Sequence, residues 1–181
     1  GRGRIGGRTR EQVWRERIGA VLRASGLNET MTYAFGDPQD PERSRMPLPA
    51  DESPVELLNP MSVEQAVLRR SLLPGLLRTV SVNQRRGVAD VHLYEVGAVF
   101  STVDGRKQPK ERLMVGGVLA GAWHPPAWNE PAVPLDFFDG KGVLENLFRE
   151  LGIERFKVRA ADLAWLQPGR SAEVLAGGEV V

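Results

Sequence analysis

Asp136 and Asp139, followed closely by Lys141, are the residues of this chain that most resemble acid–base machinery. Paired carboxylates a few residues apart can serve as a general acid and base, or hold a divalent ion. The same residues suit a helix start, where an acidic side chain receives unpaired backbone donors and the positive end of the helix dipole. Asp139 is therefore read as the cap of a helix over Lys141–Leu151, whose Val143, Leu144, Leu147, Phe148 and Leu151 form an apolar stripe ended by Gly152. His92 and His124 are the only histidines, and neither has a second ligand at metal spacing, so no metal site is proposed. Ser71 has no histidine base at a readable spacing, and G-x-S-x-G does not occur, which excludes a serine hydrolase. Cysteine is absent, which removes thiol catalysis, disulfides and thiolate metal sites.

Phosphate chemistry has two further candidates near the start of the chain. Gly1, Gly3 and Gly6 spell G-x-G-x-x-G, but the dinucleotide fingerprint needs a strand before it, and none precedes these residues here. Seven arginines fall between Arg2 and Arg23 against Glu11 and Glu16, the pattern either of a phosphate-binding arm or of a solvated helix face behind a linker. The solvated face is the reading favoured, with residues 1–8 as a flexible tail or linker remnant and 9–181 as one module. Trp123 and Trp128 sit among four prolines in AWHPPAWNEPAVP, where they serve either as an aromatic shelf for a ligand or as anchors pinning a loop over the core. Pinning is favoured, because large aromatic side chains mostly act as packing anchors.

The elements that would position these residues follow from periodicity and caps. Thr9 and Gln12 form a capping box for a first helix of about 16 residues. Trp14, Ile18, Val21 and Leu22 lie on one stripe of that helix, and Gly26 stands where a left-handed cap belongs. On periodicity alone the stripe suits a partner helix and this chain's own sheet equally. Leu27–Phe35 reads as a strand, and the proline-rich, acidic 36–54 as a surface loop. Val55–Leu58 reads as a short strand stopped by Asn59-Pro60, with Met61 and the nearby leucines as core.

Leu73, Leu76, Leu77 and Val80 predict a helix over Leu73–Gln84, with Pro74 at a first-turn position and Ser71 as an upstream cap. Val91–Phe100 is apolar on both faces, the mark of a central, twice-covered strand. A turn at Asp104-Gly105 joins it to an antiparallel strand, Leu113–Ala120. Strands at Phe156–Arg159 and Ala172–Leu175, and a Gly177-Gly178 turn into Val180-Val181, complete the reading, an edge that points to a piece of a longer protein.

Length and charge bound the class. A chain of 181 residues with 41% hydrophobic side chains buries one sizeable core and is too short for two full domains. Lys plus Arg number 24 against 23 Asp plus Glu, so the formal charge of +1 makes no global case for nucleic acid or an anionic membrane. No apolar run approaches the roughly 20 residues of a membrane helix, and a cytoplasmic location is the expectation.

The stretch VLRRSLLPGLLRTVSVNQRRGVADVHLYEVGAVF at Val67–Phe100 resembles the beta chain of bacterial phenylalanyl-tRNA synthetases, where LR-x-SLLPGLL, N-x-x-R and a FEIG-like strand recur. GLNETMTYAF at Gly26–Phe35, LLNPMS at Leu57–Ser62, DFFDGKG at Asp136–Gly142 and LQPGRSAEV at Leu166–Val174 fit the same family in the same order. Gln167 stands where that family usually has a histidine.

The resemblance implies an α+β fold of the class II aminoacyl-tRNA synthetase type, an antiparallel sheet flanked by helices. In that fold a long helix leading into a strand builds the interface between paired modules, which tips Trp14, Ile18, Val21 and Leu22 toward a partner. Catalytic members clamp the ATP α-phosphate with an arginine in the pattern aromatic-Arg-x-acid, and Tyr94-Glu95-Val96-Gly97 puts Glu95 in the arginine's place. A carboxylate there repels a phosphate. The third motif's arginine, in a G-x-G-x-x-x-R context, is missing from this sequence, which stops first. Arg69, Pro74 and Glu95 are thus read as a degenerate second motif. The resemblance implies a catalytic-like module, itself inactive, that supports the catalytic alpha chain in a complex of two alpha and two beta chains using ATP and Mg2+ to charge tRNA with phenylalanine. The tRNA is then met indirectly, through the complex. The rival readings are an active adenylate-forming ligase domain with Arg69 or Lys141 as replacement clamp, and a nucleic-acid-binding domain using the N-terminal arginines.

Overall fold

The computed structural model describes residues 6–47, 49, 51–103 and 108–181. Helix α1 (Arg10–Ala24) starts at the box its sequence predicts: Thr9 Oγ1 accepts from Gln12 N at 3.2 Å, and Gln12 Oε1 accepts from Thr9 N at 2.9 Å. It ends at Ser25, and Gly26 follows at φ +87°, the conformation that an L side chain resists.

The continuous strand expected over Leu27–Phe35 is broken in two. β1 (Asn28–Glu29) runs parallel to the long strand β5 (Val91–Val103), whereas β2 (Phe35–Gly36) pairs antiparallel with β4 (Val67–Leu68). A strand pairs only while its neighbour runs alongside, and these two segments follow different neighbours.

Between β2 and β4 the chain is more ordered than its prolines imply. A short helix, α2 (Asp40–Ser44), and a strand, β3 (Glu52–Ser53), lie within the stretch read as loop, and β3 extends the β5 sheet opposite Thr102 and Val103. The strand expected at Val55–Leu58 reduces to a single bridge from Glu56 to Val67. Leu58 already turns into Asn59-Pro60, where proline offers no donor to carry a ladder on.

Helix α3 (Leu73–Arg85) has Pro74 in its first turn, and Ser71 Oγ accepts from Leu73 N at 3.2 Å. β5 then pairs with β6 (Lys110–Ala120) in one antiparallel register, from Val91 opposite Ala120 to Ser101 opposite Lys110. The turn predicted at Asp104-Gly105 lies outside the described residues.

Helix α4 (Phe137–Leu151) begins earlier than expected, because its cap is Asp136 and not Asp139. Asp136 Oδ1 accepts from Phe138 N at 2.7 Å, while Asp139 Oδ2 reaches back to Asp136 N at 2.8 Å. Gly140 and Gly142, poor helix formers, hid that first turn from a propensity reading. β7 (Phe156–Ala160), β8 (Ala172–Ala176) and β9 (Glu179–Val180) close the chain as a separate three-stranded antiparallel sheet.

β5 is covered on both faces, as its composition predicts. Tyr94 and Val96 pack with Ile18, Val21 and Leu22 of α1 and with Val143, Leu147 and Leu151 of α4. On the other parity, Leu93 and Val99 pack with Leu72, just before α3, and Leu76 within it. Each large side chain so buried contributes about 1.5–3 kcal/mol. The Tyr94 hydroxyl, at the centre, accepts from Arg23 Nη1 at 2.8 Å and donates to Glu29 Oε2 at 3.0 Å. Burial first, and then Glu29, pushes its pKa above the ordinary value, so it stays a donor.

At the far end of the hairpin, the buried Glu52 carboxylate of β3 meets Lys110 Nζ at 2.9 Å and Arg112 Nη2 at 3.1 Å. The Lys110 hydrogen bond, with Arg112 adding, holds Glu52 below its ordinary 4.5 despite desolvation. A depressed folded-state pKa gives stability that is complete above the unfolded value and is lost as pH falls through the folded one. Glu52→Gln should therefore lower the urea midpoint at about pH 7 and flatten its decline toward about pH 3. Parallel acid limbs in the two proteins would show that Glu52 contributes nothing to that loss.

Candidate functional site

Strand parity turns Glu95 of β5 toward α3, where it is buried. Arg69, just past β4, is fixed by its backbone: its N–H donates to Ala34 O at 2.8 Å and its carbonyl accepts from Phe100 N at 2.9 Å. That places the guanidinium against the carboxylate, Nη1 to Glu95 Oε1 at 2.6 Å, with Nε donating to Ala98 O at 2.8 Å. Thr32 completes the group: its hydroxyl accepts from Arg69 Nη1 at 2.9 Å and donates to Glu95 Oε2 at 2.7 Å.

Two glycines make room for this network. A Cβ at Gly97 would lie 2.3 Å from Arg69 Nη2, and one at Gly75 would lie 2.5 Å from Thr32 Oγ1. The glycines of the PGLL and YEVG stretches are thus clearances for a buried ion pair. Pro74, grouped with Arg69 and Glu95 from the sequence, is not part of the network; it starts α3 one residue before Gly75.

The chemistry of Glu95 differs from the expectation. It does not present a repelling charge to an open site, because both of its oxygens are engaged and its charge is met by Arg69. Arg69 in turn commits Nε and Nη1 to Ala98, Thr32 and Glu95, so its charge is already paired with a carboxylate. Lys141, the other candidate clamp, pairs with Glu145. Asp136 and Asp139 are occupied in capping α4.

The residues expected at an interface fall mostly inside. Ile18, Val21 and Leu22 belong to this chain's core, with Leu22 only 4% exposed, so their stripe serves the chain's own sheet and α4. Trp14 remains half-buried near the start of α1, with the Arg17 guanidinium 5.5 Å from its ring centroid.

A different face carries the exposed apolar groups. Thr32 points inward, and its neighbours Met31 and Tyr33 are 90% and 80% exposed. With Phe35 and Val82 they line an open groove of about 700 Å³, alongside Gly75, Arg78 and Thr79 of α3. Met61, expected in the core, is 86% exposed, and Leu58 and Val63 are exposed as well. This segment runs outside the sheets, through Asn59-Pro60 into a short 3-10 turn at Val63–Gln65 with no buried residue. The alternation Met31 out, Thr32 in, Tyr33 out was available in the sequence, but nothing local says which parity faces water.

The arginines of the first helix are largely engaged within the chain. Arg8 pairs with Glu16, Arg15 with Glu11 at 3.2 Å, and Arg23 with Glu29 at 3.2 Å, while Arg17 donates to Glu150 O at 2.7 Å. Arg2 and Arg4 lie outside the described residues. Of the two loop tryptophans, Trp123 packs on the core and stacks at 4.8 Å on His92, as a pinning residue should. Trp128 does not: it is almost wholly exposed. Among the described residues no three His, Asp or Glu come together as a metal site, and no helix is long and apolar enough to cross a membrane.

Comparison with known proteins gives a family and a fold. Residues 1–181 match the model described as the phenylalanyl tRNA synthetase beta chain CLM domain. The phenylalanine–tRNA ligase beta subunit of Geobacillus kaustophilus (strain HTA426) is 39% identical over 177 residues, 97% of this chain and 22% of that one. The corresponding subunit of Carboxydothermus hydrogenoformans is 40% identical over 158 residues, 85% of this chain and 19% of the relative. The chain thus spans about 22% of the length of the curated relatives it matches. Among solved structures, the pyrrolysyl tRNA synthetase PylSc of Desulfitobacterium hafniense superposes with a TM-score of 0.68 at 14% identity, covering 97% of this chain and 56% of that one. An ATP phosphoribosyltransferase regulatory subunit/histidyl-tRNA synthetase from Bacillus halodurans C gives 0.59 at 14% identity, over 82% and 36% of the two chains. Those likenesses establish the class II synthetase-like fold with its mixed helices and sheets. Matched along its whole length by the family model, this chain belongs to the phenylalanyl-tRNA synthetase beta chain CLM domain family.

Proposed function

We propose that this domain is a non-catalytic member of an ATP-dependent phenylalanine–tRNA ligase and supports assembly with the catalytic alpha chain, in a complex of two alpha and two beta chains. The observation that carries the reading is the exposed apolar segment between β1 and β2: Met31 and Tyr33 stand almost fully in water beside a groove that continues onto α3. Contiguous apolar surface of this kind marks protein-binding faces. Of the α1 residues named from the sequence, Trp14 is half-buried and lies outside that groove, so it is a separate candidate contact. ATP and Mg2+ belong to the alpha chain's active site, tRNA is met through the complex, and the assembly works in the cytoplasm. Support for inactivity here comes from Arg69 and Lys141, the cations an ATP clamp would need, since each is held by a carboxylate.

Light scattering tests the assembly: the chain mixed with its alpha chain should give one species heavier than either alone. Calorimetric titration of this chain with ATP should give no saturable heat. A folded chain that forms no complex would overturn the scaffold reading, and saturable ATP binding would favour an active ligase domain.

A further inference from the structure

The face with Met31 and Tyr33 lies on a span that no sheet holds. β1 ends at Glu29 and β2 begins at Phe35. Backbone bonds mark the two ends of the gap, Thr30 N to Tyr94 O at 2.9 Å and Arg69 N to Ala34 O at 2.8 Å. Among the described residues, the hydrogen bonds tying Met31, Thr32 and Tyr33 to the rest of the chain all run through Thr32. Its carbonyl accepts from Arg69 Nη1 at 3.2 Å, and its hydroxyl joins both members of the buried ion pair. From the other side Gly75 approaches so closely that a Cβ there would lie 2.5 Å from Thr32 Oγ1. Thr32 is thus wedged between α3 and the pair, and the side chains before and after it must point outward.

We infer that the Thr32–Arg69–Glu95 network positions the partner-binding segment between β1 and β2, holding Met31 and Tyr33 in their bound geometry before the alpha chain arrives. The inference rests on the assembly reading proposed above. An extended span without ladder bonds samples many conformations, and ordering it at the moment of binding weakens association. The buried network orders it when the domain folds. Arg69 and Glu95, read from the sequence as remnants of a phosphate clamp, here serve a protein contact. Thr32 is a positioning residue, since its hydroxyl is spent on Arg69 and Glu95.

The test uses the full-length beta subunit and its alpha chain, with dissociation constants measured at a temperature where all variants are folded. Thr32→Val keeps the side chain's shape and removes the hydroxyl, and should weaken alpha-chain binding by ~10-fold or more. Faster hydrogen exchange at residues 31–34 of the free subunit should accompany the loss. Thr32→Ser should restore binding to within ~2-fold, because it restores the hydroxyl. Glu52→Gln, which disturbs an ion cluster at the other end of the hairpin, should leave the affinity unchanged. Wild-type affinity in Thr32→Val would overturn the inference, as would an equal loss in Glu52→Gln, which would make the effect one of general stability. A wild-type subunit that does not bind the alpha chain would instead overturn the assembly reading, and this inference with it.

Discussion

Glu95→Ala should destabilise the domain by about 3–5 kcal/mol, because it leaves the Arg69 guanidinium charged, buried and short of an acceptor. The side chains of Arg69 and Glu95 are 11% and 3% exposed, so water cannot replace the lost partner. The pair itself is worth much less than that figure, since desolvating two ions offsets most of their attraction. Replacing both partners, as Arg69→Met with Glu95→Leu, should therefore recover more than half of the loss, although Thr32 and Ala98 then lack a donor. Urea unfolding of the wild type, the single and the double variant decides the matter. A Glu95→Ala cost below about 1 kcal/mol would mean that the pair is hydrated and not a buried element of the fold.

Tyr33→Asp should abolish or severely weaken assembly while leaving the domain folded. A tyrosine at the centre of an interface commonly contributes about 2–4 kcal/mol, or roughly 30- to 1,000-fold in affinity. Tyr33 is 80% exposed in the free chain, so its replacement removes little packing, and the urea midpoint should stay within about 0.5 kcal/mol of wild type. Leu22→Asp provides the contrast: it lies on the stripe first expected to face a partner but is buried against Tyr94 and Leu147, so it should unfold the domain. Sedimentation of each variant with the alpha chain, beside its unfolding curve, separates the two outcomes. Normal assembly of Tyr33→Asp would remove this segment from the interface, leaving Trp14 and the exposed Met61 segment as the faces to test.

Much of the local structure was legible in the residues. The Thr9/Gln12 box, the Pro74 helix start, the left-handed Gly26 and Gly152, and the β5–β6 pairing each depend on residues a few positions apart. The family was legible too, because its stretches recur in fixed order along the whole chain. Misreadings arose where a local pattern fits two environments. An apolar stripe on α1 suits a partner helix and a sheet equally, and only α4, more than a hundred positions away, decides that the stripe is covered from within. Met61 and Leu58 have core-type side chains, yet both stand exposed in the irregular segment around Asn59-Pro60.

The candidate site shows the same division most sharply. Through the family resemblance, Glu95 reads as a carboxylate where catalytic members keep an arginine. Its meaning came from contacts 26 positions away to Arg69 and 63 positions away to Thr32, with Gly75 and Gly97 leaving the space. Charge and hydrogen bonding act through distance in space, whereas propensity, capping and periodicity act through distance along the chain. The sequence alone could therefore specify helices, turns, strand faces and family. Only the tertiary structure brings Glu95 against Arg69 and Thr32, and leaves Met31 and Tyr33 on either side of Thr32 facing outward.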